Sequence, residues 1–243
     1  MKKIVILKTG ATFVDVAERR GDFEAWIQRG LACPDRPCQV IHVAEGEALP
    51  EPETCAAVIV TGSSAMVSHR EAWSEASAAW LVRAVAADRF ILGICYGHQL
   101  LAHGLGGRVG PNPRGREIGT IRVRHSARDD ALFGRLPGEL IVQATHLESV
   151  LELPPGAVHL ARNDADPNHA FRVGDRVWGV QFHPEFDADI MRSYIGERRE
   201  LIADEGGNPE ALLAGCRDSP HGRALLARFG ELIRESEGSP VAG

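Results

Sequence analysis

The chain has 243 residues, 44% of them hydrophobic and 25% charged, with a formal net charge of -6 at pH 7. That length and apolar content suffice for one large α/β core without cross-links, and the acidic balance excludes the basic surface of a nonspecific nucleic-acid binder. Five cysteines, Cys33, Cys38, Cys55, Cys95 and Cys216, are odd in number and irregular in spacing, which does not describe a secreted disulfide framework, so reduced thiols are expected.

The N-terminal apolar run from Ile4 is too short for a signal-peptide core and reads as a first buried strand. No stretch approaches the roughly 20 apolar residues of a membrane span. A cytoplasmic protein with no membrane contact is therefore expected. Strands rich in Val and Ile are predicted at Lys3 to Leu7, Gln39 to Val43, Ala57 to Thr61 and Phe90 to Ile94. Between the last two, Trp73, Ala76, Trp80, Leu81, Ala84 and Val85 recur at helical spacing, which predicts a helix over Glu71 to Ala87 packed on a sheet. Cys33 and Cys38 flank a Pro-rich loop with no second ligand pair at a matching distance, so an ordinary surface loop is expected there.

From about Gly107 the texture changes to shorter, partly antiparallel strands: Gly119 to Arg124, Glu139 to Thr145, Val158 to Ala161, His169 to Val173 and Val177 to Phe182. Val173-Gly174-Asp175-Arg176 reads as the turn of a hairpin. The expected architecture is α/β, a mostly parallel central sheet with helices on both faces. After residue 186 only helical periodicity remains, in Ile190, Met191, Tyr194, Ile195, Leu201 and Ile202 and again in Leu225, Leu226, Phe229, Leu232 and Ile233. Asn208-Pro209 and Ser219-Pro220 each place a capping residue before a first-turn proline. The chain thus divides into a domain over 1–186 and a helical extension over 187–243, whose apolar stripe packs either on that domain or across a homodimer. The last residues, Glu235 to Gly243, look disordered.

The strongest chemical signal is Gly93-Ile94-Cys95-Tyr96-Gly97, where a strand runs straight into a helical pattern. This is a nucleophile elbow carrying cysteine: the sharp turn brings backbones together and leaves room only for glycine two residues either side of the nucleophile. At a helix N-terminus Cys95 faces the positive end of the macrodipole, which favours thiolate. The backbone N–H of Tyr96 then points to where an oxyanion forms. The competing reading, a buried structural cysteine at a strand end, does not need both glycines.

A thiolate nucleophile needs a base from another element. In Val177 to Glu185 a hydrophobic strand ends in His183, with Glu185 two residues on, the spacing that puts both side chains on one face, so Glu185 is placed to orient the imidazole. His98 and His103 share the helix of Cys95; His98 is expected to be packed or at the pocket's edge, and His103 a surface residue.

The pairing of GICYGHQ with GVQFHPEF resembles the class I glutamine amidotransferases, especially the glutaminase part of GMP synthase and its stand-alone relatives, over roughly Lys3 to Phe186. The resemblance implies a flavodoxin-like fold and the set Cys95, His183 and Glu185 as nucleophile, base and orienting acid. It implies an oxyanion hole from Gly62 and Tyr96, although Thr61-Gly62-Ser63-Ser64 departs from the usual Gly-Gly-Pro loop after the glycine. It places Gln99 one helical turn past Cys95 against the glutamine amide, and Thr145 and His146 at a segment whose backbone binds the substrate's α-groups, with Thr in place of Ser. Arg116-Glu117-Ile118-Gly119 also resembles a family segment, with Glu117 expected to be structural or at the pocket's edge.

The implied reaction is attack on the glutamine amide through a γ-glutamyl thioester, with no metal or organic cofactor. No GxxxxGK[ST] phosphate loop occurs in the chain. The ammonia acceptor is therefore expected on a separate synthetase, or the enzyme is a hydrolase in its own right. The main alternative is a γ-glutamyl peptidase with the same triad, distinguished by a pocket wide enough for a bulky leaving group. A non-catalytic regulatory protein is the third reading, disfavoured by an intact triad.

Overall fold

The structure, a computed structural model, describes residues 2–238. Its centre is a nine-stranded sheet in the order β2-β1-β3-β4-β11-β10-β9-β6-β7. The first five of these, β2 (Cys38–His42), β1 (Lys3–Lys8), β3 (Cys55–Val60), β4 (Phe90–Ile94) and β11 (Val177–Val180), are parallel. The rest, β10 (Ala170–Val173), β9 (Val158–Arg162), β6 (Glu117–His125) and β7 (Glu139–His146), continue it antiparallel. The hairpin expected at Val173 to Arg176 is the β10–β11 connection, with Val173 opposite Val177.

The parallel strands are continuous apolar runs because both faces are covered. Alternation decides which residue meets which layer. Ile4 and Ile6 of β1 pack with α2 (Phe23–Leu31) and α8 (Pro220–Gly238). Val5 and Leu7 pack with α3 (Ala72–Ala86) and α4 (Tyr96–Gly104) on the other face. The tail's apolar stripe is covered by the chain itself: Leu225, Leu226, Phe229, Leu232 and Ile233 are buried with Ile27 and Leu31 of α2 and Leu140 and Val142 of β7. At Gly30 a β-carbon would lie 2.5 Å from Cδ1 of Leu226, so the absence of a side chain there permits the close α2–α8 approach. The other tail helices, α5 (Ala188–Glu197), α6 (Arg199–Asp204) and α7 (Pro209–Gly215), join the cluster of Phe23, Trp26 and Phe186 through Ile190, Tyr194 and Ile202, with Leu212 and Leu213 of α7 packed against it.

Several expectations are corrected. Val43 leaves its strand for a 3-10 turn, Val43–Glu45. Two helices, α1 (Val14–Arg20) and α2, occupy the connection after β1 where none was predicted. A small antiparallel sheet of β5 (Arg108–Pro111) and β8 (Glu148–Glu152) was also not predicted. β11 stops at Val180 rather than Phe182, because the chain turns to meet the far edge of the sheet, where His183 N–H donates to Gln143 O at 2.7 Å. α8 does begin at Pro220, and the Ser219 hydroxyl before it donates to Phe186 O at 2.9 Å. Residues expected to be disordered from Glu235 are helical to Gly238, and the rest lie outside the described residues. Among the described residues no helix is long and apolar enough to cross a membrane.

Candidate active site

Three adjacent parallel strands, β3, β4 and β11, end on the same side of the sheet, and their exits carry Gly62, Cys95 and His183. Convergence at the carboxyl ends of parallel strands is the usual consequence of this topology. Cys95 sits between β4 and α4 with φ 52° and ψ -102°, a conformation that non-glycine residues rarely hold and that costs about 1–3 kcal/mol. The turn is as tight as the glycine spacing required. A β-carbon at Gly93 would lie 2.4 Å from Gly97 O, and one at Gly97 would lie 2.5 Å from Val60 O. Backbone bonds hold the strained residue: Cys95 N–H donates to Val180 O at 2.9 Å and Gly97 N–H to Thr61 O at 3.2 Å. Tyr96 opens α4, so its N–H belongs to the first turn, which has no intrahelical acceptor.

His183 Nδ1 and Glu185 Oε1 are 2.8 Å apart, both buried. The carboxylate can only accept, so Nδ1 carries hydrogen and Nε2 is left to exchange a proton with the thiol. The imidazole is stacked on Phe186, centroids 4.1 Å apart, with Phe23 beside both rings at 6.0 and 6.1 Å. Gly222 of α8 packs so closely on this segment that a β-carbon there would lie 2.9 Å from Pro184 O. The tail thus braces the histidine loop from behind.

Burial alone would push the Cys95 thiol up and the His183 imidazolium down. The imidazolium outweighs burial and the opposing charge of Glu185 to hold Cys95 below the usual thiol range, and Glu185 together with Cys95 raises His183 to about 10. His146 lowers Cys95 further. Both shifts favour the charged forms, thiolate and imidazolium, at neutral pH.

The loop after β3 is laced to the loop after β1. Thr9 Oγ1 lies 3.0 Å from Thr61 O and 3.1 Å from Gly62 O, within donating reach of both, and Thr9 N–H donates to Thr61 Oγ1 at 3.0 Å. Ser63 Oγ donates to Thr9 O at 2.8 Å and accepts from Ala65 N–H at 3.1 Å. Side-chain hydroxyls therefore hold this loop where Ser63 and Ser64 depart from Gly-Pro.

A cavity of about 50 Å³ opens on Cys95, lined among others by Tyr96, Gln99, Thr145, His146 and Arg198. Thr145 O lies 3.8 Å from Cys95 Sγ. Gln99 reaches the cavity, but its Nε2 donates to Glu148 O at 2.7 Å and Gln181 Oε1 at 3.0 Å, which leaves only its carbonyl oxygen for a substrate. The His146 ring is engaged by Glu117. His98 is packed on Phe171, and burial holds it neutral, down to about 3. His103 is a half-exposed partner of Glu75 at 2.9 Å. Neither competes with His183.

On the His183 side lies a second cavity, of about 210 Å³, lined by Phe13, Phe23, Thr145, His183, Tyr194 and Arg198 among others. Arg198, contributed by the tail, lies over the rings of Phe13 and Tyr194 at 4.7 and 5.2 Å and lines both cavities. Sequence reasoning missed Arg198, Phe23, Phe186, Glu117's partner His169 and the bracing by Gly222. The helical spacing of Tyr194 and Arg198 was the one available signal for the tail's part.

Residues 21–198 match the family model described as glutamine amidotransferase class-I. The chain belongs to the class I glutamine amidotransferases. Porphyromonas gingivalis GMP synthase (glutamine-hydrolyzing) is 43% identical to this amidotransferase over 181 residues, 60% of this chain and 36% of that protein. In Thermococcus kodakarensis, one of the subunits of GMP synthase (glutamine-hydrolyzing) is 40% identical over 110 residues, 43% of this chain and 57% of that protein. The chain spans about a third of the length of the GMP synthases it matches first. A glutamine amidotransferase from Methylobacillus flagellatus superposes with a TM-score of 0.74 at 25% identity, covering 100% of this chain and 97% of that one. One from Thermotoga maritima has the same fold at a TM-score of 0.77 and 22% identity, covering 97% of this chain and 99% of that one.

Proposed function

We propose that this class I amidotransferase hydrolyses the side-chain amide of glutamine through Cys95. The observation that carries the reading is a buried cysteine at a strained strand–helix elbow, held below the usual thiol range by a histidine whose Nδ1 is tied to Glu185. Cys95 Sγ attacks the amide carbon and the oxyanion takes hydrogen bonds from the Gly62 and Tyr96 N–H groups. The C–N bond breaks as His183 delivers its proton to the nitrogen, and ammonia leaves. Water then gives a proton to His183 and attacks the thioester, the C–S bond breaks, and glutamate departs.

Thr145 and His146 offer backbone groups to the α-ends of the substrate and Gln99 its carbonyl oxygen. Residues 1–186 form the catalytic unit and 187–243 the extension that braces it. The Thermococcus kodakarensis relative, named as one subunit of its synthase, supports an ammonia acceptor carried by a separate synthetase. Five free cysteines support a reducing, cytoplasmic location.

The cavity beside His183 favours a second reading, γ-glutamyl peptidase, because its aromatic walls lie where a departing amine would stand. Parallel turnover of glutamine and of γ-glutamyl dipeptides with aromatic second residues separates the two. Faster release of glutamate from glutamine supports the amidotransferase reading, and a kcat/KM favouring the dipeptides replaces it with the second. The chemistry common to both is tested by a glutamine-mimicking alkylating agent: peptide mass spectrometry finds the adduct on Cys95, whereas labelling spread over the other cysteines contradicts it.

A further inference from the structure

Two histidine–carboxylate pairs stand near Cys95. Besides His183 with Glu185, His146 stands at the end of β7 with Nε2 2.9 Å from Glu117 Oε2 and Nδ1 2.9 Å from the backbone oxygen of Glu148. A carbonyl oxygen can only accept, so Nδ1 must carry hydrogen. The carboxylate on the other side also accepts, so Nε2 must carry one too, and a neutral imidazole has only one N–H. Glu117 is held charged by further donors: Asn163 Nδ2 reaches Oε1 at 2.6 Å, and His169 Nε2 reaches Oε2 at 2.9 Å. Despite burial, these donors keep the Glu117 carboxyl well below its usual range, and they leave the proton on His146, which burial lowers but Glu117 raises more.

Glu117, His146 and His169 also form a compact set of metal-ligating types. Their spacing argues against an ion. Ligand atoms bound at about 2.0–2.1 Å to a tetrahedral metal stand roughly 3.3 Å apart, whereas both nitrogen–oxygen separations here are 2.9 Å, the length of a hydrogen bond.

We propose that His146 is a fixed imidazolium, locked by Glu117 and the Glu148 carbonyl, which holds Cys95 as a thiolate without exchanging protons with substrate. It is a positioning residue, and the inference rests on Cys95 being the nucleophile. His183 can then give up its proton to the leaving group while a second positive charge still acts on the sulfur. The groups around the ring are Cys95, Glu117, Asp166, the Glu148 carbonyl, His98 and His169, whose ring meets it edge-on at 5.8 Å.

The test uses the full chain without substrate. In protein carrying ¹⁵N-histidine at pH 8, both His146 ring nitrogens are expected to resonate as protonated, the signals being assigned by their loss in His146→Asn; a neutral tautomer overturns the proposal. Alkylation of Cys95 by iodoacetamide, followed against pH by peptide mass spectrometry, is expected to shift its inflection upward by about one pH unit in Glu117→Gln. An unchanged inflection overturns it, as does one equivalent of tightly held zinc in the purified wild type. If a variant fails to fold, the wild-type spectrum still decides. Because no glutamine is turned over, an inactive glutaminase with a doubly protonated His146 would sink the function proposed above and leave this inference standing.

Discussion

Gly62 lies against the Cε1 edge of the His183 ring so closely that a β-carbon on it would sit 2.7 Å from Cε1 and 3.6 Å from each ring nitrogen. The imidazole is stacked on Phe186 and tied through Nδ1 to Glu185, so a side chain at that edge would shift it out of its hydrogen bond. Gly62→Ala is therefore expected to move the base and the loop's N–H together, lowering kcat by roughly a hundredfold or more with little change in thermal midpoint. Steady-state kinetics on the folded variant check this.

Glu185→Gln removes the charge that holds Nδ1–H and raises His183. The expected loss in kcat is on the order of a hundredfold to ten-thousandfold, and the pH at which His183 titrates should fall from about 10 towards the ordinary histidine range. NMR titration of the ring reads the second effect independently of turnover.

The pair Cys95–His183 sets a pH dependence with a definite sign. Cys95 is lowered, so its thiolate persists as pH falls below the usual thiol range of about 8.5, and it is lost only when pH passes below the depressed value. His183 is raised to about 10, so the imidazolium lasts until pH climbs through that value. Alkylation of Cys95 should therefore be fast at neutral pH in the wild type, and in His183→Asn should show an inflection moved up towards the ordinary thiol value.

Leu226 anchors α8 to α2 at the Gly30 contact and is fully buried. Leu226→Ala is expected to cost about 2–5 kcal/mol of stability by chemical denaturation. Because α8 also braces Pro184 and Phe186 through Gly222 and Ser219, activity should fall more steeply on mild heating than in the wild type.

The elbow was legible because its geometry is local: two glycines and a cysteine within five residues dictate the turn from β4 to α4. His183 and Glu185 were legible because they lie two apart at a strand's end. Glu117 and His169 were not, since they meet across β6, β9 and β10 from positions 52 residues apart. β8 escaped notice because only Leu147 separates it from β7, and no periodicity marks the point where the chain changes sheets. The helix α2 did carry a signal in the sequence, Asp22 capping before Phe23, Trp26, Ile27 and Leu31 at helical spacing. The tail's place on the core depended on Gly30, a close approach that apolar periodicity does not encode.

The most direct measurement is release of glutamate and ammonia from glutamine by purified full-length protein, wild type beside Cys95→Ser. Equal amounts of both products from the wild type and a loss of at least a hundredfold in Cys95→Ser are expected if Cys95 forms the thioester. Undiminished release by Cys95→Ser would contradict it.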